Sequence, residues 1–333
     1  MRIRRRLPIL FGFLLFVAAV AAVVELRKHA PPEPARLLPG ADGFIYIDLK
    51  WMRRADVADH LPSVPHDPEY EQFIQATGFQ FERDLQEAAL AIHYASPHTG
   101  NETRFSEIFV GKIDGDKLRA YLKNLASSID NHNSVNIYNI PLENRTLRVA
   151  ILGVDTVAVS NHDDAVVIRG IIDRSRKLAS PFGGPALLRQ FYKHVPLTSL
   201  AWAVVKVEPG QGAFATPGLQ IPSGFPLTKD TTVVASARYL GAIHFRAEAF
   251  TQSEQTAEQL TTQLNTFLAI FQSAEVSAAG HTQDSDIKSA LDSLKVEQHK
   301  DRAVLTAKLP VALIRRIVAE APAEVGPGAK GKR

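Results

Sequence analysis

FIYIDLKW, residues 44–51, is the stretch on which the reading of this chain turns. Successive side chains of a strand point to opposite faces, so Phe44 and Tyr46 share one side while Ile45, Ile47 and Leu49 share the other. Both sides are apolar, which is the pattern of a strand covered on both faces. LAWAVVKVE, residues 200–208, has the same character. Trp51 and Trp202 belong to these two stretches and are read as core packing.

Working outward from 44–51, DPEYEQFIQATGF (67–79) predicts a helix with Pro68 in its first turn and Gly78 at its end. AALAIHYA (88–95) and FSEIFVGKI (105–113) predict two strands. DGDKLRAYLKNLAS (114–127) predicts an amphipathic helix with Leu118, Tyr121, Leu122 and Leu125 on one face. VNIYNIPL, RTLRVAIL and DTVAVSN are further strands, and DDAVVIRGIIDRSRKL (163–178) closes this half as a helix with Ile168, Ile171 and Ile172 inward. The second half repeats the order of elements. It runs from LAWAVVKVE to a hairpin around Leu240-Gly241, the helix SEQTAEQLTTQLNTFLAIFQSA, a hairpin turning at Lys300-Asp301, and the closing helix PVALIRRIVAEA. Strands joined by short turns, with helices between hairpins, predict an α+β fold of antiparallel sheets in two similar lobes, an internal duplication of element order. The lobes are expected at 44–180 and 181–321, with a Pro-rich extended spacer at 29–43 and a disordered basic tail at 322–333.

The N-terminus reads as a membrane anchor. Arg2, Arg4, Arg5 and Arg6 precede 18 residues without a charge, Leu7 to Val24. At about 1.5 Å per helical residue this run spans about 27 Å, close to a hydrocarbon core of about 30 Å. A secretory apolar region is shorter, about 7–15 residues. An uncleaved signal-anchor is therefore expected over 1–28, with Leu7, Phe11, Leu14, Phe16, Val20 and Val24 in the bilayer. The four arginines hold the N-terminus in the cytosol, which places the body outside the cytoplasm, and in the periplasm if the cell is Gram-negative.

Removing the ends changes the meaning of the charge. The chain has 38 basic and 35 acidic residues, but residues 1–28 carry six of the bases and Lys330, Lys332 and Arg333 three more. Residues 29–329 hold 29 bases against 34 acids, so the folded body offers no basic excess to phosphate and the nucleic-acid class is rejected. There is no cysteine, so stability does not rest on disulfides.

Each candidate for chemistry has a structural reading that competes with it. GQGAFA (Gly210, Gly212, Ala215) matches a loose dinucleotide fingerprint, but Pro217, Gly218 and Pro222 follow where that motif needs a helix N-terminus. No cofactor is expected. DHLPSVPHD places His60, His66 and Asp67 close in sequence, a weak metal candidate, since a site needs three or four converging ligands. Asp114, Asp116, Asp163 and Asp164 stand before helices, where carboxylates cap free N–H groups. His93 and His244 lie within predicted strands, with no serine elbow or cysteine nucleophile to partner either. The long Pro/Gly stretch 209–230 exceeds ordinary loop length and carries Phe214, Leu219, Ile221, Phe225 and Leu227, the candidate contacts for a partner or the membrane surface.

LLPGADGFIYIDLKWMR, FIQATGFQFERDLQEAALAI, FVGKIDGDKL and VAVSNHDDAVVIRGIIDR resemble a family of uncharacterised bacterial exported proteins. The resemblance covers about residues 36–320 and implies paired α+β halves behind an N-terminal anchor. It brings no catalytic residue. The expected function is a membrane-anchored extracytoplasmic binding or scaffold protein without catalysis, its protein or ligand partner unknown. The alternatives are a periplasmic or surface hydrolase whose site assembles from distant residues, and a carrier of an apolar small molecule between the lobes.

Overall fold

The computed structural model describes residues 30–54, 66–95, 102–142, 145–177, 184–208, 227, 229–278 (backbone alone for 271–278) and 285–313. The chain begins with α1 (Glu33–Leu37), β1 (Gly43–Asp48), α2 (Leu49–Arg54), α3 (Pro68–Thr77) and the one-turn α4 (Phe81–Asp84). It continues through β2 (Leu85–His93), β3 (Arg104–Gly111), α5 (Gly115–Leu125), β4 (Ser128–His132), β5 (Val135–Leu142), β6 (Arg145–Ile151) and β7 (Thr156–Ser160). After α6 (Val166–Arg176) and α7 (Ala186–Phe191) come β8 (Ala201–Lys206), β9 (Thr232–Tyr239) and β10 (Ile243–Phe250). The last elements are α8 (Glu254–Ala278), α9 (Ser285–Asp292), β11 (Lys295–His299) and β12 (Arg302–Leu309).

The strands form one sheet in the order β11-β12-β10-β9-β8-β1-β2-β3-β7-β6-β5-β4, twelve strands with every neighbouring pair antiparallel. The two halves of the sequence therefore do not make separate sheets. They meet at the seam where β1 pairs with β8, Phe44 opposite Val204 and Tyr46 opposite Trp202. The expected boundary at 180/181 lies outside the described residues. From the seam outward the halves run β1-β2-β3-β7-β6 and β8-β9-β10-β12-β11, and the first half adds the hairpin β5-β4 at its edge. Both edge strands are polar: β4 reads SIDNH and β11 reads KVEQH. Charged and polar edges discourage pairing with a further strand.

The main core fills one face of the sheet. Phe44, Ala89, Ala91, Ile108 and Ala158 from the strands pack with Ile168, Ile171 and Ile172 of α6 and Leu188 of α7. The three isoleucines are fully buried, as their helical spacing requires. On the opposite face, Leu118 and Leu122 of α5 lie over Val149 and Val157, while Leu260 and Leu264 of α8 lie over Ala249 and Ala303.

The local signals act as the sequence implies at several points. Asp67 caps α3 by accepting from the Tyr70 N–H at 2.7 Å, and Gly78 ends that helix in the left-handed region at φ 72°. Asp114 caps α5 through the N–H groups of Asp116 and Lys117, both at 3.1 Å. Gly241 turns the β9–β10 hairpin at φ 79°. Other expectations are overturned. The described part of the expected spacer, residues 30–43, is not extended, because Ala35, Leu37 and Leu38 sit in the main core and Arg174 Nε donates to the Leu37 carbonyl at 2.7 Å. Its prolines begin a short helix instead of an extended rod, since proline fits the first helical turn. The first strand ends at Asp48, whose Oδ1 accepts from the Trp51 N–H at 2.9 Å and opens α2. Trp51 is consequently on the surface, 56 % exposed, whereas Trp202 is buried and stacks on Tyr46 at 5.5 Å. β4 and α9 are elements the sequence patterns did not announce.

Among the described residues no helix is long and apolar enough to cross a membrane. The expected anchor at 1–28 and the expected tail at 322–333 lie outside the described residues.

Candidate ligand-binding cavity

A cavity of about 340 Å³ opens on the face of the first half, between the sheet and the helices α3 and α5. Its floor is built by alternation along the strands. Glu107 and Phe109 of β3, Val157 and Val159 of β7, and Leu147 and Val149 of β6 all point to this side. Leu118 and Leu122 form one wall from α5, and Phe73 and Thr77 form another from α3. Phe79 and Phe81 complete the rim, where Phe81 is 39 % exposed.

Aromatic packing holds this rim open. Phe73 stacks on Phe81 at 5.8 Å, Phe79 meets Phe81 edge-on at 5.2 Å, and Phe81 meets Phe109 edge-on at 6.0 Å. Tyr121 of α5 closes on Phe73 at 5.4 Å. Such ring pairs contribute about 0.5–1.5 kcal/mol each beyond the area they bury, so the arrangement is a framework and not a loose collapse. Gly111 lets α4 approach β3, because a Cβ there would stand 2.7 Å from the Asp84 carbonyl oxygen and 3.1 Å from Phe79.

Among the described residues two ionisable groups line the cavity, Glu107 and Asp114. Asp114 is occupied by capping α5, with Lys117 Nζ 3.6 Å away, and these contacts hold its carboxyl below the usual range. Glu107 has no hydrogen bond or ion pair among the described residues, and burial alone raises its carboxyl above the ordinary value. Sequence reasoning passed over it. The signal was present in FSEIFVGKI, where one acid shares a strand face with Phe105 and Phe109.

The sites expected from sequence lie elsewhere. His60, Phe214, Leu219, Ile221 and Phe225 are outside the described residues. His66 contacts Glu71 at 2.7 Å and Glu82 at 3.3 Å, and the Glu71 hydrogen bond raises its pKa. Asp67 serves as the α3 cap. Among the described residues no group of three His, Cys, Asp or Glu side chains is arranged to hold a metal ion. Leu227 is partly buried and packs with Val233 and Val296 against the cluster under α8.

His93 does have serine partners. Its Nε2 lies 3.1 Å from Ser106 Oγ, which lies 3.0 Å from Ser160 Oγ, and the His162 ring stands edge-on at 5.1 Å. Burial pushes His93 down to about 4, so the ring is neutral. Ser106 is fully enclosed and Ser160 is 2 % exposed, and among the described residues no carboxylate hydrogen-bonds to His93. An enclosed serine cannot reach a substrate carbonyl, so this is a satisfied polar inclusion in the core rather than a nucleophile with its base.

Fold and cavity together define an antiparallel α+β protein with an apolar, aromatic-rimmed pocket. No family model matches the chain, and no curated protein matches it. Among solved structures it is similar to crystal form III of TP0453, at 10% identity with a TM-score of 0.49, covering 87% of this chain and 98% of that one. Crystal form I matches at 10% identity and a TM-score of 0.48, over 87% and 97% of the two chains, and form IV at 10% and 0.45, over 86% and 96%. Nothing about ligand or activity is carried over from a likeness at this level.

Proposed function

We propose that this chain is a membrane-anchored extracytoplasmic binding protein that holds an apolar small molecule in the cavity between α3, α5 and the sheet. The cavity carries the reading. Its volume of about 340 Å³ is within the range of small-molecule sites, about 300–1,000 Å³, and its lining combines aromatic and aliphatic walls with a single unpartnered polar group. The ligand position differs from the interlobe site expected of a carrier, because the halves share one sheet and the cavity belongs to the first half alone. The arginine-led apolar run at 1–28 supports the location. The hydrolase alternative has less support, since the described residues of the pocket lining include no histidine, serine or cysteine and the His93–Ser106 pair is enclosed.

The test is binding of an environment-sensitive apolar dye to the full chain and to Val159→Phe and Leu147→Phe, which narrow the cavity from two different strands. Loss of dye affinity by about tenfold, about 1.4 kcal/mol, with unchanged far-UV circular dichroism supports the reading. Both variants binding as the wild type would refute it. Alkaline carbonate extraction with intact-mass measurement tests the anchor separately. Full-length protein kept in the membrane pellet is the expected result, and a released, shortened chain would overturn it.

A further inference from the structure

The unpaired Glu107 points to the class of ligand, an inference that rests on the cavity being the binding site. A carboxyl with neither hydrogen bond nor counter-ion in an apolar site is costly in its charged form, and the surrounding protein gives nothing back. Every other polar demand in the lining is met. Asp114 has its helix N–H groups and Lys117, and Thr77 Oγ1 donates to the Phe73 carbonyl at 2.7 Å while accepting from the Phe79 N–H at 3.2 Å. Among the described residues no lysine, arginine or histidine lines the cavity. An anionic amphiphile entering there would therefore meet the unpaired Glu107 carboxyl, while Lys117 is already engaged by Asp114.

We propose that the cavity selects a hydrophobic ammonium compound, its alkyl or aryl body against the apolar walls and its cationic head paired with the Glu107 carboxylate. The phenylalanines favour the same choice, because a cation is attracted to the faces of aromatic rings, most strongly where water is excluded. Phe109 lies on the same face of β3 two residues from Glu107, and Phe73, Phe79 and Phe81 line the same space. The raised pKa of this half-buried carboxyl accords with this pairing, since an arriving ammonium offsets the cost of ionising it. Selection follows from charge and not from shape. Molecules of one body and different heads should separate.

Octylammonium, octanol and octanoate provide that series, measured by displacement of the apolar dye from the full chain at neutral pH. Octylammonium should bind about tenfold tighter than octanol, and octanoate weaker than octanol. In Glu107→Gln, a near-isosteric change, the ammonium preference should fall to about unity while octanol affinity stays within about twofold. Equal affinity for octylammonium and octanol in the wild type would overturn the inference and leave the cavity reading standing, and this comparison needs no variant to fold. A preference that survives in Glu107→Gln would also overturn it. If none of the three displaces the dye, the binding reading of the cavity falls together with the inference.

Discussion

Leu38→Ala separates the folded position of the Pro-rich segment from an extended linker. Leu38 is 1 % exposed, beside Leu37 and Ala35 in the main core. Truncation to alanine removes three carbon groups, worth about 0.8 kcal/mol each in transfer, about 2.4 kcal/mol in all. A residual cavity adds to this, because Arg174 of α6 donates to the Leu37 carbonyl and holds the helix in place beside the gap. The expected cost is about 3 kcal/mol. Urea unfolding of the full chain in mild detergent, followed by Trp202 fluorescence, is the assay. With a denaturant slope of about 3 kcal/mol/M the midpoint falls by about 1 M. Glu33→Ala, at an exposed position of the same helix, is the control and should leave the midpoint in place. If Leu38→Ala also leaves it in place, residues 33–39 are not core, and the correction to the spacer expectation is wrong.

Gly111→Ala drives a methyl into the Asp84 carbonyl and Phe79. It should cost about 1–3 kcal/mol in urea unfolding and weaken dye binding as well, because α4 and the Phe79–Phe81 rim move together. Unchanged stability would show that the close approach of α4 to β3 is not needed. His93 gives a pH signature of definite sign. Its folded value of about 4 lies below the ordinary 6.5, so the unfolded chain takes up the extra proton first as pH falls. The stability is complete above pH 6.5 and is lost as pH falls toward 4, by about 3 kcal/mol from this group. His93→Gln should flatten that part of the stability curve, and parallel curves for variant and wild type would contradict the assignment.

The parts of the fold legible in the sequence are those set by short-range chemistry. Asp67, Pro68 and Gly78 mark α3 to the residue, Gly241 marks its hairpin, and the isoleucines of α6 face inward at the spacing that places them. The parts missed depend on contacts between distant segments. Residues 31–39 look like a linker by proline content, and only the space between the sheet and α6 makes Ala35, Leu37 and Leu38 core residues. FIYIDLKW reads as one strand to Trp51, yet Asp48 turns its carboxylate back to cap α2, a choice that alternation cannot show. The pairing of β1 with β8 joins residues about 160 apart, beyond any local pattern, and it converts two expected lobes into one sheet.

The cavity follows from how differently the two halves cover the same face of that sheet. Under α8 the strands present Ala249 and Ala303, and Leu260 and Leu264 of the helix come down directly onto these small residues. Under α3 and α5 the strands present larger groups, Glu107, Phe109, Leu147 and Val149, and the helices bring Phe73, Leu118 and Leu122. The rings engage one another around the rim, which satisfies much of their packing laterally and leaves volume between the helices and the floor. Filling that volume with aliphatic side chains would remove the cavity at little cost, as interchange of large apolar residues in cores commonly does. Glu107 is the position where stability alone gives no reason for the residue present. An apolar side chain at 107 would relieve the desolvation that raises the carboxyl and would lose no hydrogen bond or ion pair among the described residues. Glu107→Leu should therefore stabilise the empty protein, while a ligand with a cationic head should narrow the gap between the two stabilities by binding the wild type more tightly than the variant. A variant less stable than the wild type without ligand would mean that Glu107 has a structural role, and the case for it as a recognition group would lose its physical basis.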